Sequence, residues 1–418
     1  MVALALFSVT AAALGFPAGD RVASFPRYGV PKSPHFSGFL NASAAEPGTY
    51  LHYWMAAATN GDWQKKPTVL WMNGGPGASS LLGMLQELGP LIIDKTGNLQ
   101  ENPYAWTEVA NVIALESPAG VGYSYCAAMQ SGGSCHNTDI TTAKAAHAAL
   151  LDFFSKFPAL AANDFYITGE SYAGVYCPTL ADAIVKGNTA GDHPTIRLVG
   201  MAVGDPCTDT PSQTQSMDML WYAHKNGLVP DDEYTFLVDK CGASVPSARH
   251  AGEWVARETG RVLARNAPRP RLGASVTAGG DAALAANCTA AMRRYLIASS
   301  KGISQSWDKA FINELSFYSP AAEFRFDIPG TLNAHTAAWL MDPDVKKALH
   351  VDKAPAKAWP GPPAGWTYTS SYDACNANAP KGTKSMVDFY RELAPQLAGP
   401  IVVYNGDTDP CVSYARVP

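Results

Sequence analysis

Asp164-Phe165-Tyr166-Ile167-Thr168-Gly169-Glu170-Ser171-Tyr172-Ala173-Gly174 reads as a short strand, a tight turn and the start of a helix. Phe165, Tyr166, Ile167 and Thr168 are aromatic or β-branched, as strands favour. Gly169 is small, as a sharp turn needs, and residues 171–184 read as the helix. A serine on such a strand-to-helix turn presents its hydroxyl above the end of a sheet. The fifth position of the G-x-S-x-G pattern is Ala173 rather than glycine, a departure of one methyl group. Alone, the pattern also fits a serine that caps a helix. Its neighbours decide.

Working outward, residues 49–58 (TYLHYWMAAA) and 67–72 (PTVLWM) read as strands around the turn Asn60-Gly61-Asp62. Residues 109–115 (VANVIAL), 197–203 (RLVGMAV) and 400–404 (PIVVY) are further strands. Residues 81–88 and 141–157 read as helices. Nearly continuous apolar strands that alternate with helices imply an α/β fold with a mainly parallel sheet and helices on both faces. Residues 206–320 break the rhythm, with helical stretches at 212–226, 231–241 and 283–299 and a Pro/Arg/Gly stretch at 266–280. The expected organisation is a leader at 1–15, a core in two parts (20–205 and 321–418) and a helical cap (206–320) between them. Arg257, Arg261, Arg265, Arg269 and Arg271 read as a solvated loop or an excised peptide rather than a phosphate site.

A net charge of −5 gives no electrostatic reason to expect nucleic acid or an anionic membrane as partner. With 47% hydrophobic and 16% charged residues the chain reads as ordered and globular. Beyond the N-terminus no apolar run is long enough to span a bilayer. Residues 2–14 (VALALFSVTAAAL), with small residues at Ala11 and Ala13, resemble a secretory signal peptide. Asn41-Ala42-Ser43 and Asn287-Cys288-Thr289 are glycosylation sequons. Eight cysteines suit an oxidising compartment and lack zinc spacing. Cys126 and Cys135 flank a Gly/Ser-rich loop, and Cys241 and Cys288 bracket the Ala/Arg-rich middle. Cys177, Cys207, Cys375 and Cys411 leave three pairings open, with Cys177 also readable as a buried thiol.

Two more stretches turn the serine into a candidate nucleophile. Asn73-Gly74-Gly75-Pro76-Gly77 follows a strand, and its glycines let backbone N–H groups approach a substrate oxygen. Acyl transfer needs such donors, each worth on the order of 3 kcal/mol of barrier. The usual pair is one N–H from this loop and one from the residue after the nucleophile, here Gly75 and Tyr172. Gly406-Asp407-Thr408-Asp409 follows the strand 400–404. Asp409 is the favoured carboxylate to orient an imidazole, since Asp407 directly follows the turn glycine and more naturally caps the turn.

Trp71–Ser80 (WMNGGPGASS), 116–125 (ESPAGVGYSY), 169–178 (GESYAGVYCP) and 405–411 (NGDTDPC) occur in this order. Together they resemble the serine carboxypeptidase family of the carboxypeptidase Y and cathepsin A type, from about residue 20 onward. The resemblance implies an α/β-hydrolase fold, a Ser171–Asp409–His triad and no metal or organic cofactor. The substrate it implies is a peptide or protein C-terminus, and the compartment is the secretory pathway, ending in lysosome, vacuole or outside the cell. It also implies that Asn73, Glu87 and Glu170, with the Gly74 backbone, grip the substrate's terminal carboxylate. Two glutamates that share a proton can do this, where two ionised ones cannot.

The chain departs from the family at three places. Ala78 stands where a cysteine is usual, and Gly204-Asp205-Pro206 stands at a G-N-x element. All nine histidines precede Asp409, whereas the hydrolase order puts the histidine last. His335 and His350 have no motif around them and read as structural. The expectation is that the 418 residues as written lack an efficient base for Ser171. Rival readings are an acyltransferase of the same fold, which an aspartate at 170 would favour, and a non-catalytic binding or protective homologue.

Overall fold

A computed structural model describes residues 15–94, 96–209, 224–225, 227, 229–241, 282–299, 331–356, 358–374 and 382–406. Residues 1–14 of the expected leader, the stretch 266–280, Cys375, Cys411, Asp407 and Asp409 lie outside them. The chain divides into two compact units, one of residues 1–209 with 325–404, the other of 210–324 with 405–418.

The first unit holds β1 (Arg21–Val22), β2 (His35–Asn41), β3 (Tyr50–Ala56), β4 (Thr68–Met72), α1 (Leu81–Gln86), β5 (Leu91–Ile93), β6 (Leu99–Glu101) and β7 (Asn111–Leu115). Then come α2 (Ala127–Gln130), β8 (His136–Thr138), α3 (Asp139–Lys156), β9 (Phe165–Glu170), α4 (Ala173–Ala190) and β10 (Leu198–Gly204). The second unit contributes α5 (Asp231–Asp239) and α6 (Ala282–Ser299). The first resumes with α7 (Thr331–Met341), α8 (Pro343–Ala348), β11 (Thr367–Thr369), α9 (Met386–Leu393) and β12 (Ile401–Tyr404).

Among the described residues eight strands form one sheet in the order β1-β2-β3-β7-β4-β9-β10-β12. The run from β7 to β12 is parallel, whereas β1, β2 and β3 pair antiparallel, so the sheet is mixed at its N-terminal side. Successive residues of a strand face opposite sides. Accordingly Tyr53, Met55, Leu70, Met72, Ile113 and Leu115 join one core with α3, α4 and α9. Trp54, Ala56, Trp71, Val112 and Ala114 join another with α1, α7 and α8. Both faces of β7 are buried, which is why its sequence is apolar without alternation.

Helix α3 starts two residues earlier than periodicity alone suggests, because Thr138 and Thr141 form a reciprocal capping box at its N-terminus. Helix α4 ends at Gly191, whose φ of 89° suits glycine. The sequence reading has no strand at β2, a stretch broken by histidine, serine and glycine. Its buried polar groups are satisfied by distant partners. Trp54 Nε1 donates to His35 Nδ1 at 3.0 Å, and Ser37 Oγ donates to the Leu349 carbonyl at 2.8 Å. Burial lowers the His35 pKa to about 3, in keeping with its role as an acceptor.

Disulfides join Cys126 to Cys135 and Cys241 to Cys288. Cys207 is also disulfide-bonded, while Cys177 is a buried free thiol whose pKa burial raises. No helix among the described residues is long and apolar enough to cross a membrane.

Candidate active site

Ser171 sits on the turn between β9 and α4 with φ of 58°, a left-handed conformation that a non-glycine residue adopts only when its surroundings impose it. Here they do. The Ser171 N–H donates to the Gly204 carbonyl at 2.9 Å, and the Ser171 carbonyl accepts from the N–H groups of Gly174 and Cys207, both at 2.9 Å. The turn is also packed too tightly for side chains. A Cβ at Gly169 would lie 2.6 Å from the Ala173 Cβ, and one at Gly174 2.6 Å from the Cys207 nitrogen. Ala173 at the fifth motif position is thus itself a contact of the turn.

Strand β4 lies beside β9, with Met72 opposite Gly169, so the loop after Met72 emerges next to Ser171. A Cβ at Gly74 would collide with the Tyr172 nitrogen and lie 2.8 Å from the Glu170 carbonyl oxygen. Gly75 and Gly77 have φ of 110° and 102°. The loop is closed by the Ala78 N–H to the Gly74 carbonyl at 3.0 Å. Among the described residues neither the Gly75 nor the Tyr172 N–H has a hydrogen-bond acceptor.

The three residues expected to grip a carboxylate converge from β4, α1 and β9. Asn73 Nδ2 donates to Glu170 Oε1 at 2.6 Å. Glu87 caps the C-terminus of α1, and Asn102 Nδ2 holds the following turn through the carbonyls of Glu87 (2.8 Å) and Gly89 (2.9 Å). Glu87 reaches solvent, yet protein crowds it on the other sides. That crowding, with the nearby Glu170 carboxylate, pushes its pKa up to about 8. The Tyr404 hydroxyl is pushed up to about 12 by burial, then by Glu170, Asp205 and Glu87. Asp205, at the G-N-x position, has φ of 44° and donates its N–H to the Tyr404 carbonyl at 2.8 Å.

Glu116, quoted in a motif but given no role from sequence, is fully buried. It receives hydrogen bonds from Ser79 Oγ, Trp359 Nε1 (2.9 Å) and the Tyr123 N–H (2.8 Å), and pairs with His52 Nδ1 at 2.9 Å. Ser79 closes the glycine loop, so this carboxylate anchors the loop's far end. Trp366, also missed, lies over the loop. A Cβ at Gly77 would be 3.1 Å from its ring, and its Nε1 donates to the Ala119 carbonyl at 2.9 Å. No local period marks either residue; only packing reveals them.

His350 Nδ1 donates to the Ser37 carbonyl at 2.9 Å, His52 faces Glu116 and Ser37, and His136 Nδ1 faces Thr367 Oγ1 at 2.7 Å. His335 Nδ1 lies beside Gly97. Asn41 is exposed, its Oδ1 accepting the Ser43 N–H at 2.9 Å, and Asn287 is exposed on α6.

A family model described as serine carboxypeptidase matches residues 26–417. The chain belongs to the serine carboxypeptidase family. Among curated serine carboxypeptidase relatives, one from Caenorhabditis elegans is 43% identical over 232 residues, 54% of this chain and 46% of the relative. The lysosomal protective protein of Mus musculus is 40% identical over 232 residues, 54% of this chain and 45% of its own length. The chain thus spans about half the length of these relatives. Among solved structures, a prohormone-processing carboxypeptidase from Saccharomyces cerevisiae superposes with a TM-score of 0.60 at 19% identity, covering 91% of this chain and 75% of its own. This serine carboxypeptidase chain accordingly has the α/β-hydrolase fold, and its disulfides are consistent with the secretory pathway.

Proposed function

We propose that the chain is a serine-type carboxypeptidase that removes the last residue of peptides or proteins. The observation that carries this reading is the Asn73–Glu170 hydrogen bond with Glu87 alongside, next to Ser171 on its strained turn. A carboxylate-gripping cluster beside a nucleophile selects a chain end over an internal peptide bond.

In this mechanism Ser171 Oγ bonds to the last peptide carbonyl carbon and gives its proton to an imidazole. The Gly75 and Tyr172 N–H groups hold the oxyanion. The C–N bond then breaks, the proton passes to the departing amine, and the free amino acid leaves. Water repeats the sequence and releases the acyl group. Asn73, Glu87 and Glu170, with the Gly74 backbone, hold the terminal carboxylate throughout. Asp409 orients the imidazole, which the family order supplies from a residue after Asp409. The compartment we infer is lysosomal, vacuolar or extracellular, with Asn41 and Asn287 as glycan acceptors.

The test pairs Ser171 labelling by a fluorophosphonate with hydrolysis of a free-acid peptide and its C-terminal amide. It uses the 418-residue chain and a chain that continues with a histidine-bearing segment after Asp409. Rapid labelling only with that histidine, and hydrolysis confined to the free acid, are expected. Equal hydrolysis of acid and amide would refute exopeptidase action. Acyl transfer to an added alcohol in place of hydrolysis would favour the acyltransferase reading.

A further inference from the structure

Asp139, the first residue of α3, is a buried carboxylate 1% exposed that touches none of the proposed reacting groups. Its Oδ1 accepts from the Tyr172 hydroxyl at 2.9 Å and from the Tyr368 hydroxyl at 2.6 Å. Its Oδ2 accepts from the Ser371 N–H at 2.6 Å. A carboxylate out of water is stable only when such donors replace its hydration, and charge-assisted bonds of this kind are the strong ones. Its place at a helix N-terminus favours negative charge as well.

The three donors belong to two segments that must meet at the site. Tyr172 follows Ser171, and its backbone nitrogen abuts Gly74. Tyr368 lies in β11, which pairs with β8 immediately before Asp139. The rings of Tyr172 and Tyr368 meet edge to face at 5.7 Å, and Ser370 Oγ lies 2.7 Å from the Tyr172 hydroxyl. Tyr172 is thus held at both ends, by the turn at its backbone and by Asp139 at its hydroxyl.

We infer that Asp139 is a positioning residue for the oxyanion site, acting through Tyr172. The inference rests on the reading of Ser171 as nucleophile and of Tyr172 as oxyanion donor. The Tyr172 ring is a rigid lever between the Asp139 carboxylate and the N–H that meets the oxyanion. Releasing its hydroxyl lets the peptide unit between Ser171 and Tyr172 tilt. Oxyanion donors work only at hydrogen-bond distance from the developing charge, and misplacement by an ångström costs on the order of a hundredfold in rate.

The test uses the chain that continues with a histidine-bearing segment after Asp409, with isotope-labelled tyrosine, whose amide signals report each tyrosine N–H, together with the rate of Ser171 labelling by a fluorophosphonate. Tyr172→Phe identifies the Tyr172 amide by removing its signal. Asp139→Asn is expected to move the Tyr172 amide, to leave remote tyrosines such as Tyr28 in place, and to slow Ser171 labelling by about tenfold. Tyr172→Phe should slow labelling to the same degree, and the double variant no further. An unmoved Tyr172 amide, or slowing that multiplies in the double variant, overturns the inference. If Asp139→Asn does not fold, Tyr172→Phe cuts the same link from the other side, and labelling at the wild-type rate then overturns it. If no chain labels even with the histidine-bearing segment after Asp409, wild type included, the nucleophile reading falls, and the amide shift alone decides the role of Asp139.

Discussion

The side-chain amide of Asn73 donates to Glu170 across 2.6 Å, and only its nitrogen can do so. Asn73 Oδ1 is already occupied by Trp71 Nε1 at 2.9 Å and by the Gly83 N–H at 3.0 Å. The end of β4, the body of α1 and the end of β9 are thereby tied at one side chain. The Asn73 amide is a neutral donor to Glu170, and Glu170 in turn raises the pKa of Glu87.

That proximity sets a pH dependence. Glu87 has an ordinary value of 4.5 and is raised to about 8 in the fold, by burial first and by Glu170 second. Its proton-bearing form therefore persists from acid pH to about 8, where it can donate to a substrate carboxylate. Binding of a free-acid peptide should be tight below this value and weaken as pH rises through it. The C-terminal amide, and Glu87→Gln with Glu170→Gln, should show flat profiles. The same shift makes Glu87's contribution to stability complete below about 4.5 and lost as pH rises through about 8. Dissociation constants from calorimetry across this range are the check, and parallel profiles for acid and amide would exclude the glutamates from recognition.

Gly74→Ala should disable the site by sterics alone. The added methyl would meet the Tyr172 nitrogen and the Glu170 carbonyl oxygen, both backbone atoms that cannot rotate away. Overpacking of this kind costs about 1–3 kcal/mol. The expected outcome is a folded chain with a lowered Tm and at least about tenfold slower labelling of Ser171. Wild-type labelling would mean that the loop and the turn move independently.

Glu116→Gln should be strongly destabilising although it changes one atom. Ser79 and Trp359 donate to one oxygen, while Tyr123 and His52 meet the other. Whichever way the amide is turned, its NH2 faces donors. Leaving them unpaired in a fully buried site should cost about 3 kcal/mol. Denaturant unfolding measures it, and a loss below about 1 kcal/mol would show that the network rearranges freely.

Replacing Cys126 and Cys135 by serine should cost about 3 kcal/mol, since their bond closes a short loop with a sequence separation of 9. Thermal melting of the double variant tests this.

Much of the fold was legible before the structure, for local reasons. Apolar runs at β4, β7, β9 and β10 identify buried parallel strands because strands covered on both faces need no polar alternation. Gly74, Gly169 and Ser171 mark the site because backbone crowding and left-handed turns restrict which residues fit. The four disulfide candidates Cys126, Cys135, Cys241 and Cys288 are bonded as Cys126–Cys135 and Cys241–Cys288.

What the sequence by itself determined is therefore the order of strand, turn and helix around Ser171, because φ, size and hydrophobic period act over a few residues. Only the tertiary structure decided the polar contacts that hold this arrangement. It hid β2 behind histidine and serine, buried Glu116 among three donors and the His52 ring, and set Asp139 against tyrosines 33 and 229 residues away. A buried charge is stable only where separate segments bring it donors, and which segments meet is settled by how two faces of one sheet are packed.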